Sequence, residues 1–323
     1  MKKNSNYVGI DISKLTFDVA INDCNGKYIF FKFPNNSEGF VSLLEHLKRQ
    51  ESICVMEASG PYYLKLATFL SKHSIGVCVV NPLVIRRFSQ MRMSRVKTDK
   101  KDAMLIAEYG KTERPELWNP ETDYVLELKQ MQAYLDQLNK NKTSFVRQRE
   151  AFKQNPVQSN DIDKSIKSVM DSMDVAIKEI TTKMEQLIKK YHQEMYSQLK
   201  SIPGLGDRTT LLLIVITGGF SKFKNHKQLA SYIGISPRIF ESGTSVKGRS
   251  RICKMGMSRI RAMLYVCAWS AKKCNKSCKE LYDRLVDKGK SKKLALIAVV
   301  NKLLKQAFAI ATKKEYYSVG INY

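Results

Sequence analysis

Histidine and paired cysteines are scarce in this sequence. The chain of 323 residues has four histidines, all far from Cys274 and Cys278, a cysteine pair spaced to share a helix face. Zinc sites need clustered cysteine and histidine ligands, so a zinc domain is not expected. The seven cysteines form an odd, scattered set, and four lie in apolar segments. We interpret them as reduced, mostly structural thiols rather than a disulfide framework.

Membrane and export signals are also missing from the pattern. The apolar run at residues 211–216 is far shorter than the roughly 20 residues that cross a bilayer. The first residues lack the apolar core and cleavage site of a signal peptide. Neither a basic amphipathic helix nor a lipid anchor is recognisable. We therefore expect a cytoplasmic, nucleoid-associated protein without a membrane partner.

Positive charge is what the sequence has in excess. Lys and Arg number 55 against 30 Asp and Glu, which gives a formal net charge of +25. Residues 271–314 alone contain thirteen basic residues against three acidic ones. An imbalance this large predicts a polyanionic partner, and it favours phosphate contact over a merely solvated helix face. The length and the 43% apolar content predict at least two folded units.

Residues 1–120 are predicted to form an α/β domain. Three short segments rich in β-branched and aromatic residues, VGIDI, TFDVAI and KYIFFKF, predict a meander of strands. Then follow a helix near 39–50, a strand ICVMEA, a helix at 62–73, a strand GVCVV and a helix beginning near Thr98. This alternation predicts a mixed sheet with packed helices.

Residues 121–200 are predicted to form a coiled-coil helical hairpin. Apolar residues recur at alternating three- and four-residue steps over 128–145 and again over 162–191. Pro156 interrupts the pattern, and Ser159 offers an N-cap for the second helix. We expect two long antiparallel helices, either packed on each other or paired with another protomer. The pattern is compatible with both arrangements.

Four carboxylates fall at the ends of predicted elements. Asp11 ends the first strand, Glu57 ends the strand ICVMEA, and Asp99 and Asp102 open a helix three residues apart. The aspartate pair alone is explained by a favourable interaction with the helix dipole. The order of all four is typical of ribonuclease-H-like folds, where such carboxylates converge. They would hold Mg²⁺, a hard cation that prefers oxygen ligands and assists phosphodiester cleavage.

Basic residues surround the aspartate pair and would hold a phosphate backbone beside that metal. Seven lie between positions 86 and 101: Arg86, Arg87, Arg92, Arg95, Lys97, Lys100 and Lys101. We assign nucleic-acid contact to Arg92, Arg95 and Lys97 in particular, because phosphate binding needs clustered cations.

Residues 201–323 are predicted to form a basic, mostly α-helical domain. Its segment IPGLG, at 202–206, lies between two predicted helices and has the apolar-Pro-Gly-apolar-Gly pattern of a helix-hairpin-helix turn. Gly204 and Gly206 would let backbone N–H groups approach a phosphate. An ordinary glycine-rich turn is the alternative, and the charge of the chain favours the DNA-binding interpretation.

Ser242 lies in a Gly- and Ser-rich segment that we expect to be a loop. Basic residues flank it: Arg238, Lys247, Arg249, Arg251 and Lys254. A serine hydroxyl needs activation to act as a nucleophile, and no histidine lies nearby in sequence. From this chemistry alone Ser242 is a loop serine that contacts phosphate. Ser245 and Ser250 would serve equally well.

Taken together, these segments resemble the DEDD transposases of bacterial insertion sequences. That family includes the Piv-type DNA invertases and the bridge-RNA-guided recombinases. The resemblance spans nearly the whole chain through six motifs in the family's order: YVGIDISKLTFDVAI, VMEASGPYY, VKTDKKDA, IPGLG, LASYIGISPR and SGTSVKGRSRICKMG.

The resemblance implies a RuvC-like first domain whose acidic tetrad falls on Asp11, Glu57, Asp99 and Asp102 and holds Mg²⁺. It implies that Ser242 attacks a DNA phosphodiester and forms a covalent phosphoserine link. It further implies a composite site completed by another protomer, hence a dimer or tetramer. Double-stranded donor and target DNA are the implied substrates, and a structured noncoding guide RNA is an implied partner.

Two alternatives remain open from sequence. A junction-resolving nuclease would use the same four carboxylates with water as the nucleophile. An architectural DNA-binding protein would need none of them. Formation of a covalent protein–DNA adduct separates the recombinase from both alternatives.

Overall fold

The computed structural model describes residues 6–23, 26–47, 51–93, 98–238 and 251–319, and the backbone alone of 241–242 and 246–247. The chain divides into two compact units, Met1–Pro120 and Glu121–Tyr323. Five residues named above lie outside the described ones: Arg95, Lys97, Ser245, Arg249 and Ser250. Six of the seven cysteines are described, and all six are free thiols.

The first unit is built on a five-stranded mixed sheet. Its strands are β1 (Asn6–Ile12), β2 (Thr16–Asn22), β3 (Tyr28–Pro34), β4 (Ser52–Glu57) and β5 (Gly76–Val80), in the order β3-β2-β1-β4-β5. The first three form an antiparallel meander, while β4 and β5 run parallel to β1. Its helices are α1 (Ser37–Leu47), α2 (Leu64–Lys72), α3 (Pro82–Met91) and α4 (Asp99–Glu113). The predicted mixed α/β sheet is thus confirmed.

The helix α3 was not expected from the sequence. Its start is well specified, because the Asn81 side chain accepts a hydrogen bond from the backbone N–H of Leu83 and Pro82 occupies the first turn. Ile85 and Phe88 are buried one turn apart, in a cluster with Leu105 of α4. The helix therefore packs beside α4.

Gly9 lets α4 approach the centre of the sheet. A Cβ at this position would lie 2.0 Å from the backbone oxygen of Ala103 and 2.4 Å from the nitrogen of Ala107. Side chains alternate between the faces of a strand, so Asp11 points to the same face as Gly9. Val8 and Ile10 point to the opposite face and are fully buried there. Asp11 therefore lies on the α4 side of β1.

The second unit is mostly helical. Its helices are α5 (Asp123–Phe152), α6 (Asn160–Lys200), α7 (Asp207–Thr217), α8 (His226–Ile233), α9 (Ser258–Cys274), α10 (Lys276–Asp287) and α11 (Lys292–Lys313). Four two-residue strands lie between α8 and α9: β6 (Pro237–Arg238), β7 (Glu241–Ser242), β8 (Val246–Lys247) and β9 (Arg251–Ile252). A mostly α-helical remainder is as expected.

Helices α5 and α6 form an antiparallel hairpin within the chain. Arg149 near the end of α5 forms an ion pair with Asp163 near the start of α6. Lys142, earlier in α5, forms an ion pair with Asp174, later in α6. The Ser159 hydroxyl accepts a hydrogen bond from the N–H of Ile162, as an N-cap does. The two helices are thus self-packed, while their supercoiling and any pairing with another protomer stay predictions.

Helix α11 is the element that bears on the expected absence of a membrane span. By length and composition, this 22-residue helix could cross a membrane. However, 56% of its most apolar window is buried inside the protein. Val299, Leu303 and Ala307 lie in the hydrophobic core beside Leu264 of α9. We interpret α11 as the central core helix of the second unit.

Candidate active site

Two of the four carboxylates stand at the ends of neighbouring parallel strands. Asp11 is the second-last residue of β1, and Glu57 is the last residue of β4. The register pairs Ile10 with Met56, which places the two carboxylate-bearing positions side by side. The Ser59 hydroxyl donates a hydrogen bond of 2.5 Å to Oε1 of Glu57. The serine thereby fixes the orientation of that carboxylate.

The other two carboxylates stand on the first turn of α4. Asp99 is its first residue and Asp102 follows three positions later, on the same face. The Thr98 side chain caps the helix by accepting a hydrogen bond of 3.3 Å from the N–H of Lys101. Because α4 packs on Gly9, its first turn lies over the end of β1 that carries Asp11.

All four carboxylates line one open cavity of about 910 Å³. Polar side chains of α3 also line it: Arg86, Ser89 and Gln90. The helix that the sequence did not predict therefore adds a cation and two hydrogen-bonding groups to an acidic cavity. An acidic floor beside an exposed arginine suits a ligand that carries both phosphate and a divalent cation.

The carboxylates around the cavity repel one another. Burial, followed by the negative charges of Asp102, Asp99, Glu57 and Asp18, raises the pKa of Asp11 from 3.8 to about 6. Each neighbour disfavours the ionised form of the Asp11 carboxyl, as like charges at close range do. A bound cation would relieve this repulsion, and carboxylate oxygens are the ligands that Mg²⁺ prefers.

The donor set fits a divalent metal in chemistry and in charge. Within the described parts of the chain, however, no three Asp, Glu, His or Cys side chains already stand in an arrangement that could hold one ion. The carboxylates are therefore gathered around a shared cavity, and adjustment of their side chains would be needed to bind the metal.

Ser242 lies in a strand rather than in the expected loop. It belongs to β7, where its backbone pairs with Val246 of β8 in an antiparallel hairpin. A second antiparallel pair of strands, β6 and β9, aligns Arg238 with Arg251. Ser242 thus lies in one short antiparallel pair of strands, and Arg238 and Arg251 lie in the other.

Nearly the whole chain is similar to known transposases and invertases. A transposase model of the DEDD IS110 type matches residues 8–153, and the model described as Transposase IS116/IS110/IS902 family matches residues 196–283. The pilin gene-inverting protein of Moraxella lacunata is 33% identical over 323 residues, which cover 98% of each chain, and that of Moraxella bovis is 32% identical over the same share. The chain belongs to the IS110 family of transposases. The resemblance inferred from the six motifs is thus confirmed.

A shorter match involves the family's namesake element. An uncharacterised 43.6 kDa protein of insertion element IS110 from Streptomyces coelicolor is 29% identical over 119 residues, 37% of this chain and 29% of that protein. The family model and the pilin gene-inverting relatives indicate that the protein is an enzyme, a DNA recombinase or transposase. This is the class of enzyme expected from the sequence.

Two charged residues of the transposase's cavity region were missed by sequence reasoning. The register aligns Asp11 with Asp18 across β1 and β2, and Asp18 with Lys32 across β2 and β3. The Lys32 ammonium lies 3.4 Å from Asp18 and 3.9 Å from Asp99. Lys32 therefore bridges the sheet to the first turn of α4, and Asp18 is a fourth negative charge beside Asp11.

The glycine turn of the transposase has a packing role. Gly204 has φ of +95°, and a Cβ there would lie 2.7 Å from the Cα of Ala271 in α9. Gly206 is the N-cap of α7, and a Cβ there would meet no described atom within 4 Å. Gly204 is thus required for helix packing, while Gly206 leaves an accessible helix N-terminus.

The remaining predicted DNA-contacting residues are separated between the units. Arg92 follows α3 in the first unit, and its guanidinium lies 5.2 Å from the ring centre of Phe88. Arg238, Arg251 and Lys254 lie on and just after the hairpin strands of the second unit, and all three are exposed. Only the backbone of Lys247 is described, in β8.

Proposed function

We propose that this transposase cuts and rejoins DNA with Ser242 as the nucleophile and with Mg²⁺ held by Asp11, Glu57, Asp99 and Asp102. The observation that carries the proposal is the shared cavity, in which four carboxylates from β1, β4 and α4 meet and in which burial and the neighbouring negative charges disfavour the ionisation of Asp11. Strong pKa shifts of this kind cluster at functional sites, because the repulsion has no benefit for folding.

The strand order supports a RuvC-like, ribonuclease-H-like assignment for residues 1–120. An antiparallel meander of three strands continues into two parallel ones, and Asp11 stands on the central strand β1. Ligands of such sheets bind near the carboxyl ends of the parallel strands. Asp11 and Glu57 are at those ends.

When bound, Mg²⁺ supplies a Lewis acid that stabilises charge on the phosphate oxygens. The chain's own residues prepare the site. Ser59 orients Glu57, Lys32 positions Asp99 relative to the sheet, and Arg86 offers a cation to the DNA backbone. With the carboxylates oriented in this way, Arg86 would hold the reacting phosphodiester beside them.

In the proposed reaction, Ser242 Oγ forms a bond to phosphorus while the bond from phosphorus to one deoxyribose oxygen breaks. The serine proton passes to a base, and the released deoxyribose oxygen gains a proton. The phosphoserine link keeps the energy of the broken bond, so a DNA hydroxyl can attack it and restore Ser242. The flanking arginines on β6 and β9 support this role because they would bind the neighbouring phosphates.

The proposed substrates are donor and target DNA, and the proposed partners are a structured guide RNA and further copies of the chain. The net charge of +25 supports two nucleic acids, since one duplex site needs fewer cations. Similarity to the pilin gene-inverting proteins over the full length supports rearrangement of a defined DNA segment. Exposed apolar residues on one face of α6, Ile162 and Val169, support a homo-oligomer through that surface.

Neutralising each cavity carboxylate in turn tests the proposal. Asp11→Asn, Glu57→Gln, Asp99→Asn and Asp102→Asn should each abolish Mg²⁺-dependent strand cleavage while DNA binding persists. Glu38→Gln is the matched control, because Glu38 is an exposed acid on α1 of the same unit and lies outside the cavity lining. If any two of these four variants cleave DNA as fully as the wild type, the shared metal site is contradicted.

A further inference from the structure

We propose that an exposed aromatic and basic patch on α9 and α10 binds an unpaired nucleotide, whose base stacks on Trp269. The patch consists of Val266, Trp269, Lys272, Lys273 and Tyr282. The inference rests on the nucleic-acid partners of the proposed function, but it does not depend on which residue carries out strand cleavage.

The indole of Trp269 is held in a defined place and is still open to solvent. Trp269 is 49% exposed and Val266 is 68% exposed, on the side of α9 opposite to its buried residues. The Lys272 ammonium lies 4.0 Å from the Trp269 ring centre and 4.9 Å from that of Tyr282. This cation–π sandwich joins α9 to α10 and restricts the indole.

The surroundings of the indole are positively charged. Helix α9 carries no acidic residue over its 17 residues, and of its four basic residues Arg259 and Arg261 contact Asp136 and the Ile233 carbonyl away from the indole. Lys272 and Lys273 follow Trp269 within one turn. The acidic residues Glu280 and Asp283 of α10 lie roughly 200° and 100° around that helix from Tyr282. The charge beside the aromatic ring therefore complements a phosphate.

A nucleotide satisfies both features of the patch better than a protein surface does. The cores of protein interfaces are depleted in lysine, whereas Lys272 lies within this patch, between the two aromatic rings. Proteins that bind unpaired nucleic acid combine an aromatic stacking surface with cations that follow the backbone. Paired bases are stacked inside a duplex, so only an unpaired base can reach the indole.

Tryptophan fluorescence gives a direct test, because the chain has two tryptophans, Trp118 and Trp269. In the full-length Trp118→Phe protein, Trp269 is the sole indole. Short single-stranded RNA, single-stranded DNA of the same sequence and the matching duplex are titrated in parallel. A single-stranded probe should quench the emission strongly at saturation and the duplex weakly. The RNA and DNA arms show which nucleic acid supplies the base.

Affinity measurements on Trp269 variants complete the test. Labelled single-stranded oligonucleotide should bind the Trp269→Ala protein roughly 5- to 150-fold more weakly, the factor expected for the loss of one base stack. Trp269→Phe should recover part of that loss, because a smaller ring still stacks. Duplex binding should change little in either variant.

Three results would overturn the inference. The first is unchanged Trp269 emission when fluorescence anisotropy shows that the single-stranded probe has saturated the protein. The second is an equal affinity of the wild-type and Trp269→Ala proteins for the single-stranded oligonucleotide. The third is a change of oligomeric state in Trp269→Ala, which would assign the patch to a protein interface. The Ser242→Ala variant separates this inference from the catalytic proposal, because it should still show quenching.

Discussion

Replacing Asp11 by asparagine should stabilise the metal-free protein. Burial and four neighbouring carboxylates raise the pKa of Asp11 from 3.8 to about 6. The unfolded chain therefore loses the Asp11 proton before the folded chain does. The resulting cost to the fold is absent below about pH 3.8, grows as the pH rises towards 6, and is complete above that. At neutral pH, asparagine removes the cost because it carries no charge.

The size of the effect follows from the shift. About two pKa units correspond to roughly 3 kcal/mol, and partial exposure of the Asp11 side chain to screening solvent reduces this to about 1–2 kcal/mol. A change of that size should raise the melting temperature by several degrees. Saturating Mg²⁺ should reverse the order, because only the wild-type site retains all four carboxylates and gains stability from binding.

Thermal unfolding of both proteins, in chelator and in Mg²⁺, measures this directly. The difference should be large at neutral pH and close to zero near pH 4, with the exposed Glu38→Gln change as the control. An Asp11→Asn protein that is no more stable than wild type in chelator would refute the reasoning. So would a stabilisation that is the same at both pH values.

Three further outcomes are expected from single changes. Ser59→Ala should lower kcat by roughly 10- to 100-fold with little change in KM, because a hydrogen bond to the Glu57 carboxylate is lost. Ser59→Thr keeps a hydroxyl and should restore most of kcat. An equal loss of kcat in both variants would argue against a role of Ser59 in orienting Glu57. Gly204→Ala should lower the free energy of unfolding, measured by urea denaturation, by about 2 kcal/mol or more, because of its positive φ and the contact with α9. Gly206→Ala should lower it by at most about 1 kcal/mol. Val169→Glu should reduce oligomer size in sedimentation, and an unchanged oligomer would exclude that face of the hairpin.

Local patterns were sufficient to predict where the four carboxylates stand. Short apolar segments predict β1 and β4, so Asp11 falls next to one strand end and Glu57 at the other. Thr98 before an aspartate pair defines the start of α4. Helix α3 was missed because its apolar segment directly follows the apolar strand β5, although Asn81 and Pro82 are a normal start signal.

Long-range features had no signal in the sequence. The alignment of Asp18 and Lys32 with Asp11 depends on strand register, which is set by the packing of the whole sheet. The contact of Gly204 with Ala271 joins residues far apart in the chain. The strand around Ser242 is two residues long, too short for alternation to distinguish it from a loop.

Identification of the residue that becomes attached to DNA tests the central claim most directly. The transposase is incubated with DNA and Mg²⁺, with and without the proposed guide RNA, the reaction is denatured, and the adduct is digested and mapped by mass spectrometry. We predict a phosphodiester link at Ser242, which Ser242→Ala abolishes and Ser245→Ala or Ser250→Ala leaves intact. Attachment at another serine, or cleavage to hydrolysed ends without an adduct, would contradict the account.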